Sequence, residues 1–255
     1  MARTFPALVL REDPIITTTG MTERTFRSDV TVELVKATAS DQDVAQAARV
    51  STIGANSLDL NRPIEGLINY LMRDRHGSPF EHTSFTFYIE APIFVAREHF
   101  RHRAGWSYNE ESARYKALEP VFYIPAGDRN LIQEGKAGAY TFKPGSMAQY
   151  LTAVNEHKRA YLLAYDAYEN MLHKGIAREV ARSVLPVGIF TSYYATCNAR
   201  SLLHFLGLRT KDETATFPSF PQREIEMVAE RMEDFLHNRM PVTWQTFQNN
   251  GRVAP

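Results

Sequence analysis

The chain has 255 residues, 44% of them hydrophobic and 23% charged, the make-up of an ordinary globular protein long enough for one large domain or two small ones. Lys+Arg and Asp+Glu stand at 29 each, which argues against a dedicated nucleic-acid or other polyanion binder but leaves room for a local anion site. The single cysteine, Cys197, excludes a disulfide framework and a zinc knuckle, and no run reaches the ~18 apolar residues that a membrane span needs. The N-terminal "MARTFPALVLREDP" holds one short apolar patch broken by Arg11 and no small-residue cleavage site, so no signal peptide is expected and the cytoplasm is the expected location.

Taken in chain order, "VTVEL" (30–34) alternates as a half-buried strand does. Ser40 with Asp43 three residues on is a capping-box pattern that opens a short helix. Pro63 opens the next, with Ile64, Leu67, Ile68 and Leu71 on one stripe and Gly77 expected at its C-terminal cap. "HGSPFEH" reads as a polar turn and "TSFTFYIE" as a strand with Phe85, Phe87 and Ile89 on one face. Pro92 suits the first turn of a helix over "PIFVAREHFRHR", and "ARYKALEPVFYIP" reads as extended. Glycines 127, 135, 138 and 145 mark 126–145 as a long loop or insertion. Ser146 caps a long helix to about His173, and another runs from Ile176 until Pro186 stops it. "GIFTSYYATC" is expected to be extended, "NARSLLHFLGLR" helical, and Pro221 begins a final helix. Helices and strands do not alternate regularly, which favours α+β over a doubly wound sheet.

The chemistry concentrates in "FRHRAGWSYNEESARYK" (100–116), a charged run between core-like flanks. One reading of Arg97 and Arg101, at i and i+4, is an exposed helix end with weak ion pairs to residues such as Glu98. The other is an anion site, because guanidinium forks bind phosphate and carboxylate bidentately. Three features favour the second: Ser112 and Arg114 point the same way if that segment is extended, Arg178 and Arg182 pair just before Pro186, and Arg200 and Arg209 flank an apolar helix. There is no Gly-x-Gly-x-x-Gly or phosphate-binding P-loop, no metal spacing among the histidines, and no Gly-x-Ser-x-Gly elbow. Cys197 reads as a small half-buried hydrophobe rather than a nucleophile, and His204 as either a core histidine or a ligand contact.

"RHRAGWSYNEESARY" resembles the signature of the flavin-dependent thymidylate synthases, Arg-His-Arg, seven residues, then Ser. "AARVS" (47–51), "HGSPFEH" (76–82), "APIFVAREHFRHR" (91–103), "ARSVLP" (181–186) and "NARSLLHFLGLR" (198–209) are similar to that family's segments, in its order. Here eight residues separate Arg103 from Ser112, with the extra one among Ala104, Gly105 and Trp106.

The resemblance implies one domain over 1–255, an α+β fold with an antiparallel sheet and packed helices, and a homotetramer with sites between chains. It implies methylation of dUMP to dTMP with methylenetetrahydrofolate as carbon donor, NADPH as reductant and FAD as the carrier between them. It assigns FAD to Arg101, His102 and Arg103, with Ser78, Glu110, Asn198, Ala199, Arg200 and His204, and more weakly Ser51, His76, Glu81 and Asn109. It assigns dUMP to Glu98, His99, Phe100 and Arg101, to Glu110, Glu111, Ser112, Ala113 and Arg114, and to Arg182. Arg209 is implied at the pyrimidine edge, polarising the uracil, with no cysteine nucleophile. Two other outcomes stay open: a nucleotide-dependent flavin oxidase that has lost methyl transfer, and a non-catalytic nucleotide- or RNA-binding protein that keeps the arginines.

Overall fold

The computed structural model describes residues 23–59, 61–136 and 139–255, so the N-terminal patch read above lies outside the described residues. In chain order the elements are β1 (Thr25–Arg27), β2 (Thr31–Thr38), α1 (Asp41–Ile53), α2 (Glu65–Arg73), β3 (Ser84–Pro92), α3 (Ile93–His99) and β4 (Trp106–Glu110). There follow β5 (Val121–Tyr123), β6 (Asn130–Lys136), β7 (Ala139–Pro144), α4 (Met147–His173), α5 (Arg178–Ala181), β8 (Phe190–Cys197), α6 (Ala199–Arg209), α7 (Arg223–Arg239) and α8 (Pro241–Asn249). They form two compact units: one holds the described residues up to 28 and 119–189, the other 29–118 and 190–255.

The second unit is built on an antiparallel sheet in the order β2-β3-β8-β4, so the expected α+β fold with packed helices is present. Its register follows from side-chain alternation: Phe85, Phe87 and Ile89 of β3 stand opposite Cys197, Ala195 and Tyr193 of β8, and all six are buried. Leu202, Leu203 and Leu206 of α6, Ile225, Val228 and Met232 of α7, and Phe247 of α8 complete this core. Each such side chain stabilises the fold by about 1.5–3 kcal/mol relative to exposure.

Ser40 caps α1 as expected, its hydroxyl accepting from the Asp43 amide at 3.2 Å. The helix begun at Pro221 is not the last, because α8 follows it. The buried Asp41 carboxylate caps α8 from a distance, accepting from the amides of Val242 (2.9 Å) and Thr243 (2.8 Å) and from the Thr243 hydroxyl (2.6 Å). The C-terminal cap of α2 is not Gly77. Arg75 takes the left-handed conformation (φ 61°), and the His76 amide donates back to Leu71 at 2.9 Å, closing a Schellman turn. Gly77 serves packing instead: a Cβ there would overlap the Arg200 guanidinium. Helix α3 stops at His99, four residues before the end of the expected span, so Arg101, His102 and Arg103 lie on a turn.

In the first unit, α4 carries the capping box of Ser146 and Gln149. Its Tyr161 and Tyr165 pack on Phe122 of β5, with ring centroids 5.2 and 5.7 Å away, and Arg24 bridges Asp166 and Glu169 at 2.9 and 2.6 Å. Residues 126–145 are not simply a loop, since β6 and β7 pair as an antiparallel hairpin. The β-propensities of Ile132, Tyr140, Thr141 and Phe142 outweigh the glycines there. The helix expected from 176 to Pro186 shrinks to the single turn of α5 and a 3-10 turn at Arg182–Val184, because proline disfavours the helical conformation at Leu185. No helix among the described residues is long and apolar enough to cross a membrane.

Candidate functional site

The charged run is laid along β4, the edge strand that pairs with β8 from Trp106 opposite Cys197 to Glu110 opposite Tyr193. The two ends of β4 are about 13 Å apart. Most of the residues singled out in the second unit gather at one end or the other.

At the Trp106 end lies a cleft of about 480 Å³, lined by His102 to Trp106 on one side and by Asn198, Arg200, Ser201 and His204 of the α6 N-terminal half on the other, with Glu81. The longer loop after Arg103 is part of this wall. Gly105 takes a positive φ of 68°, which suits glycine, and a Cβ there would collide with the Ser201 hydroxyl. That hydroxyl donates to the Ala104 carbonyl at 2.9 Å and seats the loop on α6. Asn198 caps α6, accepting from the Ser201 amide at 2.9 Å, while the buried Ala199 donates its amide to Thr83 at 2.9 Å. Arg200 is braced by Glu81 at 2.5 Å and by the Pro255 carbonyl at 2.8 Å. Arg101 and Arg103 are exposed, and their side chains make no ion pair or hydrogen bond among the described residues.

Arg209, at the last position of α6, reaches back under this turn. Its Nη1 donates to Glu98 Oε2 at 2.9 Å and its Nε to His102 Nε2 at 3.2 Å. Burial, with Arg209 and His204 nearby, lowers the His102 pKa to about 4, so the ring is neutral at pH 7 and can accept that bond. Burial raises the Glu98 pKa while the Arg209 charge opposes the rise. His99 is fully buried, its ring packed against Phe205, Trp106 and Tyr108, with Nδ1 3.0 Å from the Tyr193 hydroxyl. Burial first, then His102 and Arg209, hold it neutral. Phe100, half-buried, packs on Tyr108 and Tyr193.

At the other end of β4, Glu110 accepts from the Thr191 hydroxyl at 2.7 Å, and Glu111 accepts from the Ser192 amide and hydroxyl at 2.8 and 3.0 Å. Residues 112–116 are a turn rather than the extended segment expected, because the Ser112 carbonyl accepts from the Tyr115 amide at 2.9 Å and its hydroxyl from the Arg114 amide at 3.3 Å. Ala113 is buried beneath it, and Arg114 is exposed beside the Tyr115 ring. Ser78 is exposed at the start of the 3-10 turn Ser78–His82, whose Pro79 and Phe80 are buried, and lies outside the cleft lining, and Arg182 lies exposed in the first unit.

Sequence reading missed Tyr108, whose hydroxyl bonds the carbonyls of His99 (3.0 Å) and His102 (2.9 Å) and so fixes the arginine-bearing turn. Its signal was the alternation of Trp106 and Tyr108 in "WSYNE", a strand hidden among charges. Cys197 is fully inside the core, with its thiol pKa pushed well up by burial. Two cationic side chains, a flat indole and neutral imidazoles around one cleft fit a ligand that is anionic and aromatic at once, as a flavin dinucleotide is.

A family model described as thymidylate synthase complementing protein matches residues 33–242. A flavin-dependent thymidylate synthase from Streptomyces avermitilis is 64% identical over 234 residues, 90% of this chain and 95% of the relative. One from Tropheryma whipplei is 53% identical over 234 residues, 90% of this chain and 97% of the relative. The crystal structure of a UMP/dUMP methylase, PolB from Streptomyces cacaoi bound with 5-Br dUMP, superposes with a TM-score of 0.86 at 52% identity, covering 91% of this chain and all (100%) of that one.

Proposed function

Because the chain belongs to the thymidylate synthase-complementing family, we propose that it methylates dUMP to dTMP, with methylenetetrahydrofolate as carbon donor, NADPH as reductant and FAD as the bound cofactor. The observation that carries this reading is the double use of His102, which both lines the guanidinium-rich cleft and accepts a hydrogen bond from Arg209. A cofactor cleft and a fixed positive charge therefore share one side chain.

Arg103 and Arg200 would meet the anionic groups of the flavin dinucleotide, with Arg101, Asn198 and His204 beside them and Ser78 and Glu110 as further contacts. When bound, the flavin supplies the redox chemistry. The chain's own residues hold and polarise the nucleotide. Glu98, Phe100 and Arg101, at and just after the end of α3, and Glu110 to Arg114, at and just after the end of β4, grip dUMP, with Ser112 and Arg114 at the phosphate, whereas the fully buried His99 packs beneath them and not against the nucleotide. Arg182 is assigned to the nucleotide on its motif alone. Uracil must become electron-rich at C5 to accept a one-carbon electrophile, and Arg209 favours this by placing positive charge where negative charge builds. Cys197, 3% exposed, is too deep and too weakly acidic to act as a thiolate nucleophile. Assembly as a homotetramer belongs to the same reading, supported by Leu208, Phe217 and Phe220, exposed at 53%, 71% and 71%.

The test is the purified protein. It should be yellow, NADPH should bleach it, and under anaerobic conditions dTMP should form only when the folate is present. A colourless protein that makes no dTMP overturns the reading. UMP is the second substrate to assay, because the 52% identical neighbour is described as a UMP/dUMP methylase.

A further inference from the structure

Arg209 is held by two of its three side-chain nitrogens. Nη1 donates to Glu98 and Nε to His102, while Nη2 has no partner among the described residues. Both acceptors belong to α3 and the turn after it, whereas Arg209 ends α6, so the contact ties together segments 111 residues apart. A guanidinium is planar, and two in-plane donors bound to fixed acceptors set both its position and its plane. The third nitrogen is then aimed without further loss of side-chain freedom.

We propose that Glu98 is a positioning residue, acting on the nucleotide through Arg209 by fixing its guanidinium so that Nη2 is presented to the pyrimidine. The proposal rests on the methylation reading above and departs from it at one point: Glu98 is there a direct grip on dUMP. Glu98 is itself a costly residue at this place. Its side chain is 28% exposed, with the buried Glu224 of α7 adding a second negative charge nearby. His102 alone would be a weaker anchor, because it is neutral and its contact is longer, 3.2 Å against 2.9 Å.

A double-mutant cycle on Glu98→Ala and Arg209→Ala decides it. The Glu98→Ala variant should lower kcat for dTMP formation by about 30-fold, the scale of a lost charge-assisted hydrogen bond, with flavin content unchanged. In the Arg209→Ala background the same change should cost less than about threefold, since its target is gone. Glu98→Gln keeps an acceptor for Nη1 and should recover activity to within about fivefold of wild type, which also answers for a misfolded alanine variant. The cycle is read a second time on dUMP affinity by calorimetry, where no turnover is needed. Wild-type protein that binds dUMP but forms no dTMP defeats the methylation reading alone, and the coupling is then judged on the affinities. Losses that multiply in the double variant, or an alanine variant as active as wild type, overturn the role of Glu98.

Discussion

The arginines of α6 and those of the turn after α3 are held in opposite ways. Arg200 and Arg209 each meet a carboxylate, Glu81 at 2.5 Å and Glu98 at 2.9 Å, whereas Arg101 and Arg103 stand exposed with no side-chain partner among the described residues. A pinned guanidinium has already lost rotamer freedom and shares its charge with a neighbour, and what it gains is direction. An unpinned one keeps its full charge and its freedom, which suits a flexible polyanion. The two groups therefore differ in what substitution should cost.

The sharpest break comes from replacing arginine by lysine, which preserves charge and abolishes the fork. At Arg209, lysine should cut dTMP formation by about 10²–10³-fold, the scale of a lost preorganised electrostatic contact, while flavin content stays near wild type. At Arg101, lysine should be tolerated within about threefold, because charge without direction is all that position provides. Steady-state rates for both variants make the comparison, and equal losses would erase the distinction between the groups.

A smaller effect separates the groups by salt. Arg103→Ala should weaken flavin binding about tenfold at low ionic strength, and the difference from wild type should shrink as salt is raised, since exposed charges are screened over about 10 Å at 0.1 M. Fluorescence titration of FAD at two salt concentrations checks this. The pinned Arg200, replaced in the same way, should lose affinity with less salt dependence.

The contrast between pinned and unpinned arginines could not be read from the sequence. Elements with local signals were legible: the alternation of Phe85, Phe87 and Ile89 marks β3, Ser146 with Gln149 opens α4, and Asn198 opens α6. Elements capped or paired from afar were not. Helix α8 draws its side-chain cap from Asp41, 201 residues before Val242, and the start signal the sequence holds nearby is Pro241 at its first turn. Strand β4 is an edge strand carrying polar residues outward, so its charges mask its period. Arg75 shows the limit of propensity, because a non-glycine residue takes the left-handed cap that Gly77 was expected to fill. For the site, ordered motif segments pointed to Arg101, His102, Arg103, Arg200 and Arg209, but the Glu98–Arg209 pair spans 111 residues and no periodicity connects its members.

Acid should act where the two groups of arginines adjoin. His102 is held neutral, with a pKa of about 4, by burial first and by Arg209 second. Between pH 6.5 and about 4 the unfolded chain therefore binds more protons than the folded one, so this contribution to stability is present above pH 6.5 and is lost as pH falls through that window. The fully buried His99 shifts in the same direction. Thermal melts at pH 7 and pH 5 should show the loss, and Arg209→Gln, which removes the second cause, should make it smaller. An equal or larger loss would mean that Arg209 does not act on the imidazole.

The mildest change concerns the turn itself. The Tyr108 hydroxyl lies 3.0 Å from the His99 carbonyl and 2.9 Å from that of His102, so one phenol closes the turn that carries Arg101 and Arg103. Burial holds the phenol protonated throughout the physiological range. Tyr108→Phe keeps the ring packing against Trp106 and Phe100 and removes only the hydrogen bonds. The cost should be about 1 kcal/mol, or a few degrees in Tm for a chain of this size. Flavin affinity should fall by less than it does in Arg103→Ala, because exposed, unpinned arginines do not depend on the exact path of the backbone beneath them. A loss as large as that of Arg103→Ala would show that the turn aims these arginines after all, and that they differ from the pair on α6 only in being anchored through the main chain.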